Sequence, residues 1–232
     1  MGRQARQIAT ASLMTAGLLA SAFAEELDCP AFPQPDAKVQ WVAPYMVFNG
    51  VPMSVKRFDS EQPPEAILAF YRRAWNGSGS AAPVENVVGE WQTIGAKRGK
   101  CFFTVQVQAA GKSGSTGLLS ATQPIDGPRI VSDQKLPMMS GSTIVNDIEH
   151  HDDGKNARTI LLSNTFSAQS NADFYRQSLA DQGWKMISSY QVTTSKGPGI
   201  TLVMKRDLAE ANLVITRAGS QTTVLATLVD RP

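Results

Sequence analysis

The sequence predicts an α+β fold built as two tandem related modules, each a hairpin, one helix and an antiparallel meander. Three observations predict it. The dipeptide Asn49-Gly50 separates two β-rich runs and is the strongest short-range signal for a two-residue hairpin turn, because both residues tolerate the positive φ that such a turn requires. The phrase Phe-Tyr-Arg occurs at Phe70 and again at Phe174, 104 positions apart, each time inside a helix-like stretch. After each copy come short β-like runs bounded by turn formers.

The first 24 of the 232 residues have Arg3 and Arg6, an apolar stretch from about Ile8 to Leu19, and the small-x-small motif Ala22-Phe23-Ala24. This pattern predicts a secretory signal (residues 1–24) cleaved after Ala24. The apolar stretch is too short for a bilayer span, and no later run is long enough. Cleavage removes two arginines and no acid, so the formal charge falls from +2 to zero. A neutral chain gives no electrostatic reason to bind nucleic acid or an anionic membrane. Cys29 follows Glu-Leu-Asp rather than small residues, so no lipid anchor is expected there.

Cys29 and Cys101 are the only two cysteines. In an oxidising compartment an even pair favours a disulfide. The rival is a buried thiol at Cys101, which begins an apolar strand, with an exposed thiol at Cys29.

Residues 25–38, with prolines at 30, 33 and 35, read as an extended lead-in. The first module covers residues 39–127. Its hairpin is followed by Pro63 and Pro64, which fit the first turn of a helix, where a missing N–H has no partner to lose. Leu68, Tyr71 and Trp75 then mark one helical face. β-like runs follow at 87–96, 101–109 and 116–122. Residues 128–140 read as a linker. The second module, 141–232, repeats the plan: a hairpin turning near Asp153-Gly154, then a helix starting at Ser170-Asn171-Ala172-Asp173 in the manner of a capping box and stopping at Gly183. In that helix Ala172, Tyr175 and Leu179 hold the positions that Leu68, Tyr71 and Trp75 hold in the first. Runs at 184–193, 199–205, 211–216 and 222–229 read as strands. The two tyrosines are expected to pack each helix on its sheet, with Arg72 and Arg176 pointing outward.

The stretch FYRQSLADQGW, carrying Phe174, Tyr175, Leu179, Gly183 and Trp184, resembles a phrase found in small bacterial periplasmic proteins and lipoproteins, where such a helix precedes an antiparallel sheet. The first copy matches at Phe70 and Tyr71 alone. The resemblance implies fold and compartment; most such families have no assigned activity.

Candidate chemistry is sparse. The adjacent histidines lie in Glu149-His150-His151-Asp152, a set that could ligate a divalent metal. On a strand, however, neighbours face opposite sides, so His150 and His151 are poorly placed to share one ion, and the plainer reading is a solvated hairpin end. The segment 111–117, GKSGSTG, lacks the strand–loop–helix setting of a phosphate loop. Glu85, Glu90, Asp133 and Glu149 are carboxylates that could meet in space, but nothing singles out a pair. Trp41, Tyr45, Phe48, Trp91, Phe102 and Phe103 are either a groove for a glycan or peptide, or the core of a sheet. With no catalytic set and no cofactor implied, the sequence points to an exported, non-enzymatic interaction or adaptor protein of the cell envelope, periplasmic and accessory to a secretion or surface-assembly system, whose partner is another envelope protein. The alternative is a periplasmic protein binding a small molecule or glycan between its two modules.

Overall fold

The computed structural model describes residues 27–76, 82–125, 136–152, 154–194 and 197–230. The predicted signal and cleavage point, most of the linker and Asp153 lie outside the described residues.

In chain order the elements are β1 (Lys38–Phe48), β2 (Val51–Ser60), α1 (Pro64–Trp75), β3 (Val84–Val88), β4 (Trp91–Arg98), β5 (Cys101–Ala110), β6 (Gly114–Thr122), β7 (Thr143–Asp152), β8 (Lys155–Asn164), α2 (Ala168–Ala180), β9 (Lys185–Thr194), β10 (Gly197–Arg206), β11 (Ala209–Ala218) and β12 (Gln221–Asp230). Asn49 and Gly50 both take positive φ, 50° and 77°, which turns β1 back onto β2. Strand β5 shows why these runs are strands: Cys101, Phe103, Val105 and Val107 are buried while Phe102, Thr104, Gln106 and Gln108 face outward, the period-two pattern of a sheet with one covered face.

The balanced α+β fold of two tandem modules is corrected here. The described chain is mostly antiparallel strand, with two helices and one continuous twelve-stranded sheet in the order β3-β4-β5-β6-β2-β1-β7-β8-β12-β11-β10-β9. Elements do recur with a 104-residue offset, as β2 (Val51–Ser60) and β8 (Lys155–Asn164) show. What merges them is the seam between β1 and β7. Met46, Val47 and Phe48 pair antiparallel with His150, Glu149 and Ile148. Beyond the last pair, Asn49 N–H donates to the Asp147 carbonyl at 2.7 Å, and Asp147 N–H donates to Asn49 Oδ1 at 2.9 Å. Each strand thereby satisfies backbone groups that would otherwise form an open edge of its own half.

Both helices lie on one face of this sheet. The covered side can be followed across the seam through successive cross-strand partners, Pro52–Val47–Glu149–Arg158–Leu228. Under α1, Phe58, Ile67, Leu68, Tyr71, Trp75, Phe103 and Leu119 are buried together. Under α2 the core holds Leu136, Leu162, Tyr175, Leu179, Leu202 and Leu213. The helical stripes expected from the sequence, Leu68/Tyr71/Trp75 and Ala172/Tyr175/Leu179, are all buried. The start of α2 is earlier than expected: Ser167, not Ser170, is the N-cap, its hydroxyl accepting from Ser170 N–H at 2.9 Å.

The lead-in folds across α1. Phe32 meets Tyr71 edge-on and stands 4.7 Å from the ring of Phe103, and Tyr71 donates its hydroxyl to the Pro33 carbonyl at 2.9 Å. A disulfide joins Cys29 to Cys101, 72 residues apart, so of the two sequence readings the paired one holds. On a chain-entropy basis a loop of that length contributes about 4 kcal/mol by restricting the unfolded chain.

Candidate functional site

A twelve-stranded sheet that does not close leaves two outer strands, β3 and β9. β3 has five residues, all exposed. β9 has ten, bonded on one side to β10, and among the described residues no strand pairs with its other side, which makes its free backbone donors and acceptors a template for another extended chain. Its side chains favour association: Ile187 is 57% exposed and Tyr190 60%. Partial protection comes from Lys185 at its start and from a register shift where Ser188 pairs with Val203 but Met186 with Met204, a bulge that leaves Ile187 as the extra residue.

Sequence reasoning placed a strand at 184–193 but did not mark Met186, Ile187 and Tyr190 as an open edge. One signal was available. A strand that directly follows a helix in such a meander has a single sequence-adjacent partner, the strand after it.

Beside β3, Glu65, Leu68, Arg72, Glu85, Val87 and Gln92 line a cleft of about 180 Å³, below the roughly 300 Å³ at which small-molecule pockets begin. Arg72, expected to be a solvated outward residue, is held here by two acids. It makes a bidentate pair with Glu85, at 2.6 and 2.7 Å, and a further bond to Glu65. These hydrogen bonds hold the Glu85 carboxyl below its ordinary range and push the guanidinium pKa up. The guanidinium is thereby paired with carboxylates of the protein itself. Arg176 makes a single contact, through Nη1, with the Asp173 carboxylate one turn earlier on α2.

At the seam, Arg158 makes a bidentate, largely buried pair with Asp147, at 2.9 and 2.7 Å. The hydrogen bonds that Arg158 donates to the Asp147 carboxylate raise the Arg158 pKa. This pair is a structural clasp joining β7 to β8.

The other sequence candidates are dispersed. His150 and His151 fall on opposite faces: His150 opposes Ala157, and His151 opposes Asn156, whose side chain its ring contacts. Glu149 shares the covered side with Arg158, and of Asp152 the structure describes the backbone, paired with Lys155. Among the described residues no group of three His, Cys, Asp or Glu side chains is placed to hold a metal ion. Glu85 on β3 and Glu149 on β7 are six strands apart in the sheet, about 29 Å at the usual strand spacing. Asp133 lies outside the described residues. The first-half aromatics are split as well: Phe103 is buried under α1, Phe102 faces the other side, and exposed Trp41 is capped by Lys56 Nζ at 4.1 Å. No helix among the described residues is long and apolar enough to cross a membrane. No protein-family model, curated protein or solved structure matches the chain at a significant level.

Proposed function

We propose that this chain is an exported, non-enzymatic interaction protein of the cell envelope that accepts an extended strand of a partner protein along β9. One observation carries the reading: a ten-residue outer strand, bonded on one side, with Ile187 and Tyr190 exposed. Main-chain hydrogen bonds along such an edge supply affinity, and alternate side chains supply selectivity. Export is supported by the signal-like residues 1–24 and by the Cys29–Cys101 disulfide, since disulfides persist in oxidising compartments. In this reading α1 and α2 back the sheet from one face, and the edge does the binding.

The test is affinity capture from cross-linked envelope extract with the wild-type chain and with Ile187→Lys/Tyr190→Lys. Lysines on an edge oppose strand addition without touching the core. A stoichiometric partner that the wild type retains and the double variant loses, at unchanged thermal stability, is the expected result. A partner held equally by both, or a catalytic turnover abolished by one point substitution, overturns the reading.

A further inference from the structure

The uncovered face of the sheet carries a row of side chains running across the seam. Within it Met53, Met46 and His150 are successive partners on β2, β1 and β7: Met46 opposes Met53 on one side and His150 on the other. Directly opposed residues in antiparallel strands project to the same face with Cβ atoms about 4.5–5.5 Å apart. Two thioethers and an imidazole therefore stand side by side, within reach of one another given the three rotatable bonds of each methionine. Both methionines are half-buried and His150 is exposed. The neighbouring row on the same face holds Val51, Phe48 and Ile148, so the sulfurs sit beside apolar groups. His151, by contrast, is on the covered side, against Asn156.

We propose that Met46, Met53 and His150 form a binding site for a soft monovalent metal ion, copper(I), with two sulfurs and one imidazole nitrogen as its three ligands. The donor set selects the ion. Thioethers are poor ligands for hard cations and good ones for copper(I), and imidazole suits copper in either set. Zinc is disfavoured, because its sites are built from thiolate, imidazole and carboxylate, and the opposite faces of His150 and His151 prevent a histidine pair. The site spans the seam, with ligands from three adjacent strands, two of one half and one of the other. It is independent of the β9 edge, and either reading stands without the other.

The experiment is anaerobic titration of the purified full chain against a chromogenic copper(I) chelator. The chain should withdraw one equivalent of copper(I). His150→Ala and the volume-conserving Met53→Leu should each weaken binding by about tenfold or more, since even changes behind a metal ligand cost about that much. His151→Ala should leave it unchanged. A second measurement on the wild-type chain, titration of methyl-labelled methionine with silver(I), should shift the Met46 and Met53 methyl resonances together at one equivalent. Copper left on the chelator, copper binding that survives both His150→Ala and Met53→Leu, or unmoved Met46 and Met53 methyls would each overturn the site.

Discussion

Substituting Gly117 by alanine tests the packing that holds α1 to the sheet. Gly117 lies on β6 opposite Phe58 of β2, and the Phe58 ring, fully buried, covers it. A Cβ at position 117 would stand 2.1 Å from the Gln106 carbonyl oxygen and 2.5 Å from a Phe58 ring carbon. Comfortable heavy-atom contact begins at about 3.5 Å, so strand or ring must shift by roughly 1 Å or more. Neither has room: Gln106 belongs to the β5 ladder between β4 and β6, and Phe58 is packed in the core under α1. Overpacking in well-packed cores costs about 1–3 kcal/mol, and this clash belongs at or above the top of that range. About 3 kcal/mol corresponds to a fall in Tm of roughly 6–12 °C for a chain of this size. Gly95→Ala is the control. Its Cβ would meet the Phe103 carbonyl oxygen at 3.5 Å, an ordinary contact, so the loss of unfolded-chain freedom should leave it neutral or up to about 1 kcal/mol more stable. Thermal and urea unfolding followed by circular dichroism measures both. If Gly117→Ala lies within about 1 kcal/mol of wild type, or Gly95→Ala is equally damaging, the placement of Phe58 over Gly117 is wrong.

Two further expectations concern the helices and the lead-in. Tyr71 donates its hydroxyl to Pro33, whereas the buried Tyr175 hydroxyl has no partner among the described residues; Tyr71→Phe should therefore cost about 1 kcal/mol and Tyr175→Phe nothing, as urea midpoints would show, and equal costs would contradict the difference. Reducing the Cys29–Cys101 disulfide, or replacing both cysteines by alanine, should lower stability by up to about 4 kcal/mol and loosen residues 27–38 in hydrogen exchange, while the core under α2 keeps its protection; a uniform loss across both cores would show instead that the lead-in is not a local clamp.

Much of the local structure is written in short stretches of sequence, because its causes are local. Asn49-Gly50 makes the turn since those two residues accept positive φ. Pro63 and Pro64 mark the start of α1 because proline costs nothing where the N–H is unpartnered. The stripes at Leu68/Tyr71/Trp75 and Ala172/Tyr175/Leu179 name the buried faces of both helices, since helical period alone decides which side chains share a face. The two cysteines pair, as their even count led the sequence reading to expect. α2 starts about one turn before the position the sequence suggests: Ser167 and Ser170 are both residues of a type that caps helices, and Ser167 is the one that accepts a backbone N–H.

Tertiary structure decided the rest. Alternation in a strand states that one face is covered; it does not state which strand lies alongside, because the hydrogen-bonding groups that choose a neighbour belong to the backbone and are the same in every residue but proline. The joining of β1 to β7 rests on three cross-strand pairs and two bonds at Asn49, too few to leave a pattern in the chain. That seam turns two expected modules into one sheet and leaves β3 and β9 as its edges. It also brings His150 beside Met46 and Met53, about 100 residues away in sequence.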